Sequence, residues 1–137
     1  MAESAVHIEY VNKLGLYVKS RLEFNEHIHI LLDTPFSTEF PPHVINNFRP
    51  DLYYNHNNVL IIGEAKTDDD FDRPHSISQY TSYLEECSLF PGDSILVLSC
   101  SWKVAPAMAN LIRNIKRCGS YSTSVVILNE LGPFRSI

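Results

Sequence analysis

Within residues 49–66, RPDLYYNHNNVLIIGEAK, Asp51 follows a proline, and Glu64 and Lys66 close an apolar run. Two carboxylates and one ammonium are what a metal-dependent phosphodiesterase needs. Hard oxygen ligands suit Mg²⁺ or Mn²⁺, and a nearby positive charge suits the hydrolytic water and the phosphate. In a chain with another use, Asp51 would cap a turn and Glu64 and Lys66 would form a cross-face ion pair. Charges at the end of an otherwise apolar strand argue against that duller assignment, because burying them without purpose is expensive.

A β-hairpin is the element that must bring the three together. Val59-Leu60-Ile61-Ile62 is an unbroken apolar run, typical of a strand covered on both faces. Asn55-His56-Asn57-Asn58 before it is turn chemistry, since Asn tolerates positive φ. With the hairpin centred between His56 and Asn57, Asp51 faces Ile62. Side chains alternate, so Ile62, Glu64 and Lys66 share the face of Asp51. Asp51 and Glu64 become diagonal neighbours, roughly 7–8 Å apart at the backbone and within reach of one ion. A slip of one residue would send Glu64 and Lys66 to the other face.

Pro50-Asp51 followed by Glu64-Ala65-Lys66 resembles the signature of the PD-(D/E)xK nuclease superfamily, which includes restriction enzymes, Holliday-junction resolvases and RecB-type nucleases. Gln79 and Tyr83, four apart in SISQYTSYL on a predicted helix, match the QxxxY element of RecB-type members. Order, spacing and element type agree across residues 50–83, and the remainder of the chain bears on the fold alone. The resemblance implies that Asp51 and Glu64 bind Mg²⁺ or Mn²⁺, with the Ala65 carbonyl as third ligand. Lys66 would hold or help deprotonate the attacking water and neutralise charge building on the phosphate. Gln79 would orient the site, and Tyr83 would pack beside it or touch the nucleic acid. A helix upstream of the Asp often supplies a metal-binding His in such nucleases, which makes His7 the candidate. Some relatives use a Glu there. Glu9 points away from the apolar stripe, toward solvent, and Glu3 stands four residues before His7.

The chain's 137 residues leave room for a single domain spanning 1–137. No run approaches the ~18 apolar residues of a membrane span, and the first ten residues lack the basic start and apolar stretch of a signal peptide. Cys87, Cys100 and Cys118 form an odd set without CxxC, which points to reduced thiols in a cytoplasmic protein. Three cysteines are also too few for the four-Cys iron–sulfur cluster of some RecB-type nucleases.

Apolar positions Ile8, Val11, Leu14, Val18 and Leu22 predict a first helix over about 4–20. Residues 27–32 predict a strand, and 33–47, with three prolines, a long loop that delivers the chain to Asp51. A loop at 68–74 precedes a helix at 76–87. A strand at 94–98 follows, then a helix whose stripe is Val104, Met108, Leu111, Ile112 and Ile115, stopped at Gly119. A last strand at 124–128 ends the pattern. Strands alternating with helices predict an α/β fold. The resemblance narrows it to a three-layer restriction-endonuclease-like core with a mixed central sheet of about five strands.

Other chemistry-bearing residues carry less. His27 and His29 share a strand face but lack a third metal ligand. His43, His56 and His75 fall in loops or turns. The acidic run Asp68-Asp69-Asp70-Phe71-Asp72 lacks the Gly and closing Glu of a calcium loop and reads as a solvated loop. It would repel phosphates beside Lys66. A net charge of −5 also departs from the footprint of a tight, non-specific DNA binder. Lys103, Arg113, Lys116 and Arg117 lie on the polar side of the last helix, and such a face is ordinarily just solvated. The expected activity is Mg²⁺- or Mn²⁺-dependent hydrolysis of DNA, with affinity modest and salt-sensitive or supplied by a homodimer or partner protein. Two alternatives are an RNA endonuclease of His-Asp-Glu-Lys type and a non-catalytic interaction module that retains the fold.

Overall fold

The computed structural model describes residues 4–22, 30–35 and 40–137. The order is α1 (Ala5–Arg21), β1 (Leu31–Leu32), β2 (Leu52–His56), β3 (Val59–Ala65), α2 (Pro74–Leu89), β4 (Asp93–Ser99), α3 (Ala105–Gly119), β5 (Ser124–Asn129) and β6 (Gly132–Ser136). Strands β1 to β6 form one sheet in sequence order, with β3, β4 and β5 parallel and the outer pairings antiparallel. The two crossovers, through α2 and α3, run in the same direction across the sheet. Their common handedness therefore lays both helices on the same face.

Burial divides the sheet's two faces. Leu60, Ile62, Leu96, Leu98, Val125 and Ile127 pack with α2 and α3, through Tyr80, Tyr83, Leu84, Met108 and Ile112. Leu52, Tyr54, Ile61, Ala65, Val97 and Leu128 pack under α1, against Tyr10, Val11, Leu14 and Val18. The fold is α/β, with an open mixed sheet between helices. Strand β3 is buried along nearly all its length, as its unbroken apolar run requires.

Several boundaries differ from the sequence-based expectation. The sheet has six strands rather than about five, because β6 returns antiparallel along β5. Its sequence, GPFRS, carries a glycine and a proline, which mask strand character but are tolerated at a sheet edge. The hairpin is centred between Asn57 and Asn58, one residue beyond the expected centre, so every cross-strand partner shifts by two and Tyr53 pairs with Ile62. Both asparagines hold positive φ, 51° and 62°, the geometry of the tightest two-residue hairpin loop. Helix α3 hands its left-handed cap to Ser120, at φ 54°, and not to Gly119. Gly119 is there for space: a Cβ would stand 2.2 Å from the Tyr121 ring. His56 closes β2 and His75 lies in the first turn of α2, so neither is a loop residue. Of the strand predicted at 27–32, Leu31–Leu32 is β1, while His27 and His29 lie outside the described residues.

Candidate active site

Parallel strands end at a common edge, and β3 brings Glu64 and then Lys66 to the edge shared with the carboxyl ends of β4 and β5. Asp51 immediately precedes β2 at the same edge. Continuing the hairpin register by one pair sets Asp51 directly opposite Glu64, not diagonal to it. The two-residue shift in cross-strand partner preserves parity, so the acids still share a face. Here the ladder continues through side chains: Asp51 N–H donates to Glu64 Oε2 at 3.0 Å, and Ala65 N–H donates to Asp51 Oδ2 at 2.9 Å. Asp51, Glu64 and Lys66 are 5%, 4% and 4% exposed. Three ionisable groups are thus buried at one point of an apolar sheet, an arrangement folding alone does not favour.

Two helices close over it. In α2, Pro74 occupies the first turn, where its missing N–H costs nothing, and Ser76, Gln79, Tyr80, Tyr83, Leu84 and Cys87 form the buried face. Gln79 Oε1 accepts a short hydrogen bond from Lys66 Nζ. The same ammonium lies 3.9 Å from Glu64 Oε1, 3.6 Å from Asp70 Oδ2 and 6.0 Å from the Tyr80 ring centroid. Tyr83 is fully buried, and its hydroxyl closes no hydrogen bond among the described residues. Burial first, and then the Glu64 and Asp51 charges, raise its pKa, so the phenol faces the acidic pair as a neutral group. Its hydroxyl lies near Glu64 without closing a bond to it. In α1, Ser4 caps the helix by accepting the His7 amide at 3.0 Å, which fixes His7 in the first turn. From there His7 Nε2 comes within 3.2 Å of Asp51 Oδ2. Glu9 is exposed, as the helical spacing predicts, and Glu3 lies outside the described residues.

Electrostatics at this point are dominated by the two acids. Burial, and next the Asp51 charge, push the Glu64 carboxyl well above the usual carboxylate range; Lys66 and the Asp51 amide pull it down only in part. A divalent cation would relieve that repulsion, and the donors are hard oxygens of the kind Mg²⁺ and Mn²⁺ prefer. Counting only His, Cys, Asp and Glu, no group of three among the described residues is arranged to hold a metal. The Ala65 main-chain oxygen, which that count leaves out, is therefore needed as third ligand. His7, engaged with Asp51, would have to exchange that contact for the ion. On these terms the residues fit a small oxygen-ligated cation.

Two neighbours were not singled out from the sequence. Asp70 reaches Lys66 from the acidic run, and Tyr80 both flanks the ammonium and anchors that run by donating to the Phe71 carbonyl at 2.8 Å. Phe71 itself is buried, whereas Asp68, Asp69, Asp70 and Asp72 are exposed. The run is a turn with solvated acids on a buried aromatic pin. Its nearness to Lys66 in the sequence was the available signal. A cleft of about 430 Å³ lies elsewhere, between α1 and the β5–β6 turn, lined by Lys13, Leu16, Tyr17 and Leu131 among others. Cleft size is a poor guide here, because Lys66 and Gln79 fill the polar site themselves.

No helix among the described residues is long and apolar enough to cross a membrane. Cys87, Cys100 and Cys118 are all free thiols. No protein-family model, curated protein or solved structure matches the chain.

Proposed function

We propose that this chain is a Mg²⁺- or Mn²⁺-dependent nuclease of PD-(D/E)xK type, hydrolysing phosphodiester bonds in DNA on a restriction-endonuclease-like core. The observation that supports it best is the joint burial of Asp51, Glu64 and Lys66 at the carboxyl end of β3, with Gln79 on the ammonium. Asp51, Glu64 and the Ala65 carbonyl would hold the cation, and His7 would orient Asp51 or join it as a ligand. The bound cation would act as a Lewis acid on the phosphate and lower the pKa of the attacking water. Lys66 would position that water and stabilise negative charge on the phosphate in the transition state. Gln79 would hold Lys66 in place, and Tyr83 would close the site against bulk water. The site sits at the carboxyl ends of the parallel strands, the usual place for ligands in open α/β sheets.

The test is a cleavage screen with Mn²⁺ on linear, circular, single-stranded and branched DNA and on RNA. Lys66→Ala and Asp51→Ala should each lower cleavage by at least about 100-fold, the scale of losing one charge-stabilising group. Both variants should keep the parent's circular dichroism spectrum. Metal-dependent cleavage that survives both substitutions would sink the reading. Calorimetric titration with Mn²⁺ separates it from a non-catalytic module, which would show no binding dependent on Asp51.

A further inference from the structure

Trp102 is the chain's sole tryptophan and is 62% exposed. The ring stands on a fixed base. Its amide donates to Glu130 Oε1 at 2.9 Å, and Val104 and Ala105 both donate to the Ser101 carbonyl just before it. The loop that carries it is tied to the Lys66 segment twice. Lys66 N–H donates to the Ser99 carbonyl at 2.9 Å, and Ser101 Oγ donates to Asp68 Oδ1 at 2.6 Å. Trp102 therefore stands at the sheet edge that bears Asp51, Glu64 and Lys66.

Charge limits what can be held there. Asp68, Asp69, Asp70 and Asp72 are exposed beside Lys66, and the whole chain carries −5. Every phosphate brought to this rim meets repulsion, and a duplex brings two phosphate backbones. An attraction that needs no positive charge is stacking of an unpaired base on an aromatic face. Two other ring pairs are already engaged with each other: His43 stacks on Tyr53 at 4.8 Å, and Phe48 meets His75 edge-on at 5.3 Å. Trp102 meets no other ring among the described residues, and exposed Lys103 follows it in the chain.

Resting on the nuclease reading of the neighbouring site, we propose that Trp102 is its base-stacking platform and that the substrate enters as an unpaired strand, not a duplex. Because Trp102 is the sole tryptophan, its fluorescence reports on this residue alone. In chelator, where no cleavage occurs, oligothymidylate or oligouridylate should quench it, and a duplex of equal length should not. In Mn²⁺, Trp102→Ala should raise KM for the single strand about 10- to 100-fold, the loss expected for one stacked base, with kcat little changed. Trp102→Phe should recover most of that loss. No quenching by either strand, equal quenching by duplex, or an unchanged KM in Trp102→Ala would overturn the proposal. So would a purified protein partner that shields Trp102 from acrylamide where neither oligonucleotide does. The nuclease reading is judged separately, by whether Lys66→Ala abolishes cleavage.

Discussion

Glu64 concentrates the physical cost of this site. Burial and the facing Asp51 raise its folded-state pKa well above the ordinary value of 4.5, so the protonated form suits the fold better than the ionised one. The sign follows from linkage. The stability this carboxyl contributes is full below about pH 4.5 and is lost as pH rises through the raised folded-state value. Glu64→Gln should therefore melt higher than the parent near neutral pH in chelator, by about 3–6 °C, corresponding to about 1 kcal/mol in a domain of this size. That advantage should shrink on acidification, and scanning calorimetry across the pH range reads it directly. A lower melting temperature for the variant at neutral pH would contradict repulsion between the two acids. Thiols offer an independent check on burial. Cys87 and Cys100 are buried and pushed up to about 12, while Cys118 is exposed. A maleimide or disulfide reagent near pH 8 should modify one thiol in the native protein and three after denaturation.

At the scale of elements, the β2–β3 hairpin decides whether the acids meet. Its centre is chosen by Asn57 and Asn58, both at positive φ, a state asparagine enters at lower cost than other residues with side chains. A second Asn pair, Asn46-Asn47, makes a similar turn, with Ile45 and Phe48 exchanging backbone bonds of 2.7 and 2.9 Å. Asn46 also donates to Ser82 on α2, which secures the chain just before Asp51. Gly63 lets β2 approach beneath α1: a Cβ there would stand 2.9 Å from Leu52 Cβ and 3.4 Å from Leu14 Cδ1. Gly63→Ala should cost about 1–3 kcal/mol, seen as a lower urea midpoint with unchanged slope. Because Leu52 adjoins Asp51, any activity should fall with it. An alanine variant as stable and active as the parent would mean that β2 tolerates displacement.

Across the whole molecule, charge sets the terms of recognition. A chain of net −5 with exposed aspartates beside its lysine neutralises few phosphates. The basic residues of α3 are partly engaged within the chain. Arg113 and Arg117 are engaged with Asn110 and Asn114 on the same helix, and Lys116 donates to the Ile137 carbonyl at 2.9 Å. Partial burial lowers the Lys116 pKa. The salt dependence of single-strand affinity should accordingly be shallow, with a log–log slope no steeper than about −1.5 to −2, equivalent to two or three phosphate contacts. A steep slope would point to a basic surface supplied by a second copy or a partner protein.

The sequence by itself determined the chemical identities and their parity. Alternation along a strand is a local steric rule, so Asp51, Glu64 and Lys66 stay on one face even with the cross-strand partners displaced by two residues. Helical spacing likewise put Gln79 and Tyr83 on one side of α2 and turned Glu9 outward. Tertiary structure alone decided what meets across long separations. It brought His7 to Asp51 across 44 positions, set Gln79 against Lys66, turned Asp70 toward that ammonium and laid β6 along β5. Such contacts depend on how distant segments pack, which no short-range periodicity encodes.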